Sequence, residues 1–211
     1  MYWPGIRRLE SELAILRQGL GRSGYTVQIA DVPYNQGLPP ENPIGPVARW
    51  LARSTCANWW IGLSLGAGVA HIAASIVSPF LRPQRVTLIN PVADRLTLLK
   101  SRGLSARDAW NLQAVDFAVS EVRMLDIVLS NHDPKVPRDQ GVSLLDRYPR
   151  ARSRTLEMQA DHAISDHTSQ TLLLDFLLAE EMTWGETIQR SSVASDNAAH
   201  PSLRQDSESH R

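Results

Sequence analysis

Apolar and polar positions follow two different spacings along the chain, and the two spacings alternate. Between positions 7 and 20, leucines recur every three or four residues among charged side chains, which is typical of an amphipathic helix. Short runs rich in β-branched, aromatic and aliphatic residues predict strands. The predicted strands cover residues 25–30, 59–63, 85–89, 123–130 and 154–158.

Segments with helical spacing lie between these strands. Further helices are predicted over residues 47–56, 65–77, 96–119 with a break at 103, 142–148 and 165–182. Helices that alternate with strands imply a mostly parallel sheet with helices on both faces, so the expected fold class is α/β. Reactive side chains in such folds gather beyond the carboxyl ends of the strands.

With 211 residues the chain is long enough for one domain with a sizeable core. Residues 1–183 contain all the predicted elements and are expected to form that domain. Beyond Trp184 the sequence consists mainly of polar residues, so residues 184–211 are expected to form a disordered C-terminal tail.

Charge and targeting features exclude several classes of protein. Acidic and basic residues balance at 22 each, so no net field favours nucleic acid or an anionic membrane surface. The sequence has no apolar run of membrane-spanning length and no signal-peptide core at its N-terminus. The single cysteine, Cys56, excludes an internal disulfide framework and fits a reducing compartment. We therefore expect a cytoplasmic protein, and the sequence does not indicate its oligomeric state.

A Gly-x-Ser-x-Gly turn lies between an apolar strand and a segment of small residues that predicts a helix. Strand, tight turn and helix are the context that a nucleophile elbow requires. The serine, Ser64, would adopt strained backbone that is tolerable only beside residues without bulk, which Gly62 and Gly66 provide. The pattern alone is weak, because an ordinary strand-to-helix connection can contain the same residue types.

Two further polar residues follow predicted strands of the same sheet. A serine hydroxyl needs a base to accept its proton, and that base needs a carboxylate to orient it. Asp133 follows the strand at 123–130, and His162 follows the strand at 154–158. The order serine, acid, histidine along the chain is the order expected beside such an elbow. Each residue alone has a plainer interpretation, as a turn aspartate or a surface histidine.

Together these residues resemble the α/β-hydrolase family over roughly positions 24–178. The resemblance implies Ser64 as nucleophile, Asp133 as orienting acid and His162 as general base. It also implies that the backbone N–H of Leu65 is one oxyanion donor. Residues 94–121 lie where that family places its lid, so a lid-like helical insertion is expected there.

The N-terminus departs from the family pattern, because almost no chain precedes the first predicted helix. By analogy the second oxyanion donor would be the N–H of Ile6. Two or more of the usual strands are absent. We therefore expect either a small, N-terminally abbreviated sheet or a start assigned at an internal methionine.

Two assignments stay open. Asp94 is the alternative acid, because some members of the family carry the acid one strand earlier. His167 is the alternative base, although it lies inside the predicted last helix. His162 and His167 are five residues apart, which does not place them on one helix face, so no metal site is expected.

The sequence therefore predicts a serine hydrolase that cleaves a small-molecule carboxylic ester or thioester through an acyl-enzyme, without metal or cofactor. The alternative hypothesis is a non-catalytic module of the same fold that binds a ligand or a partner, because the loop expected to carry the second donor is abbreviated. No nucleic-acid partner is expected, since the basic segment at 147–154 is more typical of a solvated surface.

Overall fold

In the part of the chain that the structure describes, the sheet has six strands, which occur in it in the same order as in the sequence. The computed structural model describes residues 2–3, 10–29, 57–77, 82–93, 122–179 and 187–189. The strands are β1 (Tyr2–Trp3), β2 (Trp59–Leu63), β3 (Arg85–Ile89), β4 (Met124–Ser130), β5 (Arg152–Met158) and β6 (Thr187–Gln189). Every neighbouring pair is parallel, so the carboxyl ends of the strands all lie at one edge of the sheet.

Helices cover both faces of this sheet. In the described ranges the α-helices are α1 (Glu10–Arg22), α2 (Leu65–Ile76), α3 (Arg138–Val142) and α4 (His167–Leu178). Helix α2 packs on one face, whereas α1 and α4 contact each other and pack on the opposite face. The predicted α/β class with a parallel sheet is therefore confirmed. None of the described helices is both long enough and apolar enough to cross a membrane.

Two apolar cores result from the alternation of side chains along the strands. Trp60 and Leu88 belong to the core beneath α2, whereas their neighbours Ile61 and Ile89 belong to the core beneath α1 and α4. Because both faces are covered, the central strands are apolar at most positions and do not alternate strictly between apolar and polar residues.

A buried ion cluster interrupts the core beneath α4. Asp126, whose side chain is 1% exposed, accepts hydrogen bonds from Arg85 Nε at 2.6 Å and from Arg154 Nε at 2.8 Å. Each guanidinium also donates to a backbone carbonyl at the end of α4, Arg85 to Leu177 and Arg154 to Ala179, at 2.9 Å in both cases. The cluster therefore ties the last helix to β3, β4 and β5.

The central elements agree closely with the sequence predictions. Strands β2 and β3 have the predicted bounds, and β4 and β5 differ from the predictions only at their first residues. Helix α4 is shorter than predicted, since it covers 167–178 rather than 165–182. The Asp166 side chain accepts from the backbone N–H of Ser169 at 2.8 Å and thereby fixes the start of the helix.

The predicted strand at 25–30 is wrong for the residues of it that the structure describes. The described residues 25–29 do not form the predicted strand, since only Ile29 makes an isolated bridge. Helix α1 extends to Arg22 and is followed by Gly24 with φ of 88°, and Tyr25 N–H donates to Leu20 O at 3.0 Å. The backbone N–H of Tyr25 is therefore used by the end of the helix and not by a strand partner.

The region after β4 also differs from its prediction. Helix α3 lies at 138–142, whereas the sequence predicts no helix here before residue 142. Residues 145–147 form a 3₁₀ helix in place of part of the predicted helix at 142–148. Pro137, with φ of −59°, immediately precedes the first helical residue and favours an earlier start.

Strand β6 lies inside the segment predicted to be a disordered tail. Residues 187–189 pair with residues 155–157 of β5, so the predicted disorder of 184–211 is wrong for these three residues. Thr187 and Ile188 favour strands, and the edge of β5 supplies their backbone partners. The rest of that tail, the predicted helices at 47–56 and 96–119 and the lid-like insertion at 94–121 lie outside the described residues.

Candidate active site

The turn between β2 and α2 holds Ser64 in an unusual backbone conformation. Its φ of 56° and ψ of −121° lie outside the regions that residues with a side chain normally adopt. The surrounding backbone fixes this conformation. Ser64 N–H donates to Ile89 O at 2.8 Å, and Ser64 O accepts from Ala67 N–H at 3.0 Å. The strained turn is therefore anchored to the end of β3 and to the first turn of α2.

Two glycines allow the elements around this turn to approach closely. A Cβ added to Gly62 would lie 2.5 Å from Ala67 Cα and 2.6 Å from Gly66 O, so the predicted need for glycine at position 62 is confirmed. A Cβ on Gly68 would lie 2.7 Å from Val92 O, in the segment after β3. The sequence analysis missed this second approach, because nothing local to Gly68 indicates which distant backbone passes it.

The structure brings Ser64, Asp133 and His162 together at the carboxyl edge of the sheet. His162 Nε2 lies 2.8 Å from Ser64 Oγ, and His162 Nδ1 lies 2.6 Å from Asp133 Oδ2. The imidazole thus uses one nitrogen for each partner. A neutral ring with its proton on Nδ1 donates to the carboxylate and accepts the serine proton on Nε2.

Asp133 is held as an ionised carboxylate. Its side chain is 2% exposed, and its Oδ1 accepts from the backbone N–H groups of Lys135 at 2.7 Å and Val136 at 3.0 Å. Burial opposes the charged form and alone would raise the pKa of Asp133. The hydrogen bonds from His162 and from the two backbone N–H groups outweigh burial, so the pKa lies below its ordinary value.

Hydrogen bonds between residues of the loop that carries His162 hold that loop together. Asp161 accepts from Ser165 N–H at 3.0 Å and from Ser165 Oγ at 2.6 Å. Ile164 within this loop has φ of 53°. Burial alone would raise the pKa of Asp161, but the hydrogen bonds from Ser165 and two backbone N–H groups of the loop lower it. The loop is therefore a compact turn around an ionised carboxylate.

Asn90 connects this loop to the sheet, a role that the sequence analysis did not foresee. Its Nδ2 donates to the backbone carbonyl of His162 at 2.9 Å. Asn90 comes directly after β3. Asparagine tolerates left-handed backbone better than most residues, and Asn90 has φ of 44° even though a following proline, Pro91, favours extended backbone.

The other residues that the sequence offers for the site are two oxyanion donors, an alternative base and an alternative acid. Leu65 is the first residue of α2, so its N–H points out of the start of the helix beside Ser64. His167 is the exposed first residue of α4, and its carbonyl accepts from Thr171 Oγ1 at 2.9 Å. The histidine bonded to Ser64 is therefore His162. Ile6 and Asp94 lie outside the described residues.

A cavity of about 270 Å³ lies away from Ser64. It is formed between α1 and the amino end of β2, where Leu20 and Trp59 contribute to its wall. Ser64 follows the carboxyl end of β2, at the opposite end of that strand. The cavity is therefore distinct from the site around Ser64.

Known protein structures share this architecture at low sequence identity. Est1E of Butyrivibrio proteoclasticus, solved with ferulic acid bound, matches with a TM-score of 0.62 and 15% identity over 84% of this chain and 86% of its own. MGS-MChE2, an α/β-hydrolase enzyme from a sediment metagenome of the Mar Chica lagoon, matches with 0.61 and 17% over 84% and 87%. The esterase domain of a Rhodothermus marinus protein matches with 0.58 and 16% over 83% and 82%.

The similarity to known proteins is detected from the structure and not from the sequence. No protein-family profile matches the chain, and no curated protein matches it significantly. The identities to the solved structures are 14–17%, so these matches concern the fold. The parallel sheet, the helices on both of its faces and the similarity to these structures lead to one conclusion: the chain has the α/β-hydrolase fold.

Proposed function

We propose that the protein is a serine hydrolase that cleaves a carboxylic ester or thioester through an acyl-enzyme. The observation that supports this most strongly is the continuous hydrogen-bonded path from Ser64 Oγ through His162 to Asp133, with distances of 2.8 and 2.6 Å. Nucleophilic catalysis by serine needs these three groups in this order. Ser64, Asp133 and His162 are accordingly the proposed nucleophile, orienting acid and general base.

In the first half of the proposed reaction, Ser64 Oγ attacks the carbonyl carbon while its proton moves to His162 Nε2. The imidazolium formed in this step is stabilised by the Asp133 carboxylate, which keeps its own negative charge. When the tetrahedral intermediate collapses, the bond to the leaving group breaks and His162 Nε2 gives that group its proton. The alcohol or thiol then leaves, and the acyl group stays on Ser64.

In the second half, water replaces the leaving group. His162 Nε2 takes a proton from water, whose oxygen attacks the acyl carbon, and then returns a proton to Ser64 Oγ as the carboxylic acid departs. The enzyme returns to its starting protonation state. No oxidant, metal or cofactor enters the balance.

The negative oxygen of each tetrahedral intermediate needs donors that are already in place. The N–H of Leu65 is the proposed donor, because the first turn of a helix has N–H groups without intrahelical partners and a positive end of the helix dipole. Ile6 N–H remains the expected second donor.

The structural neighbours guide the choice of substrate class. They include an esterase domain and a protein solved with ferulic acid, a carboxylic acid. This supports carboxylic esters as the first class to test, with thioesters as the second.

A panel of p-nitrophenyl esters and acyl-CoA thioesters tests the proposal. Wild type is expected to hydrolyse at least one member, and Ser64→Ala to lose about 10⁴-fold or more of that activity. His162→Ala should lose a comparable factor, whereas the matched variant His167→Ala should retain wild-type activity because that side chain is exposed at the start of α4. Absence of turnover by folded wild-type protein would contradict the proposal and favour the binding module.

A further inference from the structure

We propose that Asn90 is a positioning residue that sets the place of His162 relative to Ser64, by tying the histidine loop to the ends of β3 and β4. This inference rests on the proposed function of Ser64 and His162, and it adds a residue that neither motif contains. Asn90 is 3% exposed and donates a hydrogen bond to the backbone carbonyl of His162, so it acts through the base rather than on a substrate.

The side chain of Asn90 uses both ends of its amide. Nδ2 donates to His162 O and to Ser130 Oγ, each at 2.9 Å, and Oδ1 accepts from Ser130 N–H at 2.8 Å. Its backbone N–H donates to Val128 O at 2.8 Å. Asn90 is therefore fixed to β4 at three points before it reaches the histidine loop.

The neighbouring residue, Ile89, holds the nucleophile. Ser64 N–H donates to Ile89 O at 2.8 Å, while Asn90 Nδ2 donates to His162 O at 2.9 Å. Two consecutive residues at the end of β3 therefore fix the backbones of the proposed nucleophile and the proposed base. Because both backbones are anchored at the end of β3, that strand sets the distance between Ser64 Oγ and His162 Nε2.

Asparagine suits this position for two physical reasons. Its amide both donates and accepts, which matches the carbonyl of His162 and the N–H of Ser130 at once. It also tolerates the positive φ of 44° better than most residues. Aspartate keeps the shape and the φ but has no N–H donor, and its charge would repel the His162 carbonyl. Glycine keeps the φ and removes the side chain.

The test compares Asn90→Asp and Asn90→Gly with Ser130→Ala in the full chain. In both Asn90 variants kcat on the best ester should fall about 10- to 100-fold, because small displacements of catalytic groups have effects of this size, while KM changes less than about threefold. Ser130→Ala removes the hydroxyl partner of the same amide nitrogen but keeps the bond to His162, so its kcat should stay within about threefold of wild type. Two variants of Asn90 are compared so that, if one of them does not fold, the other still tests the inference.

A second readout separates this inference from the proposed function. The proton on His162 Nδ1, shared with Asp133, should give a low-field NMR resonance that disappears in His162→Ala. In Asn90→Asp and Asn90→Gly that resonance should shift or vanish, and in Ser130→Ala it should remain. If no ester or thioester is cleaved, the proposed function fails, and this resonance alone decides the role of Asn90. Folded Asn90 variants with wild-type kcat, or with an unchanged resonance, would overturn the inference, as would an equal loss in Ser130→Ala.

Discussion

His162 Nε2 and Ser64 Oγ lie 2.8 Å apart although 98 residues separate them in the sequence. Ser64 follows β2 and His162 follows β5, and two strands, β3 and β4, lie between these in the sheet. The histidine loop therefore has to reach back across the ends of both strands. The hydrogen bond from Ser165 to Asp161 within the loop and the hydrogen bond from Asn90 to His162 O hold the loop in this position.

Replacing Asp133 by asparagine should remove most of the activity. The amide cannot both orient the Nδ1–H of His162 and stabilise the imidazolium, so kcat should fall by about 10⁴-fold. Steady-state hydrolysis of the best ester in the panel measures this. Asp146→Asn is the matched control, because that aspartate is exposed in the 3₁₀ helix. Equal activity of Asp133→Asn and wild type would exclude Asp133 as the orienting acid.

The lowered pKa of Asp133 predicts a pH dependence of stability. A carboxyl whose pKa is depressed by folding stabilises the native state above its ordinary pKa of 3.8, and this contribution is lost as the pH falls through the lower folded-state value. The free energy of unfolding of wild type should therefore fall relative to that of Asp133→Asn below about pH 4. Urea unfolding of both proteins at a series of pH values measures the difference, and parallel curves down to acid pH would contradict the prediction.

Gly62→Ala should both destabilise the protein and reduce its activity. The new Cβ would lie 2.5 Å from Ala67 Cα, so the start of α2 must shift, and Ser64 lies between the two residues. We expect a loss of about 1–3 kcal/mol in the free energy of unfolding. Gly21→Ala is the control, because its Cβ would meet no atom within 4 Å and a helical alanine should stabilise by about 0.5–1 kcal/mol. Equal unfolding midpoints for the two variants would refute the argument.

Asp126→Asn should affect stability and leave catalysis unchanged. Removing this charge leaves the buried guanidinium groups of Arg85 and Arg154 without their shared anion. Breaking a buried ion pair in this way costs about 3–5 kcal/mol. Urea unfolding measures that loss, and kcat at a temperature where the variant is folded should match wild type. A loss below about 1 kcal/mol would show that the cluster contributes little.

Much of the site could be predicted because the residues that form it belong to patterns that are recognisable within short stretches of sequence. The turn at Ser64 needs glycine at position 62, and the strand before it is apolar, so both are visible within a few residues of sequence. Asp133 and His162 each follow a strand, and parallel strands place their carboxyl ends together. Chemistry and chain order together therefore predict that these three side chains lie close to one another, and the distances of 2.8 and 2.6 Å agree with that prediction.

What could not be predicted depends on contacts between distant segments. The approach of Val92 to Gly68 and the hydrogen bond from Asn90 to His162 appear only when the sheet is assembled. The same holds for β6, whose three residues gain their partners from the edge of β5. The missing strand at 25–29 shows the opposite case, in which the first of the strand-favouring residues, Tyr25, bonds to the end of a helix.

Covalent labelling with a fluorophosphonate probe decides whether Ser64 is an activated nucleophile, because the probe needs an activated serine and no knowledge of the substrate. We expect one adduct on wild-type protein, mapped by peptide mass spectrometry to Ser64, with none on Ser64→Ala and much slower labelling of His162→Ala. Folded wild-type protein that stays unlabelled, or an adduct that maps to another residue and persists in Ser64→Ala, would contradict it.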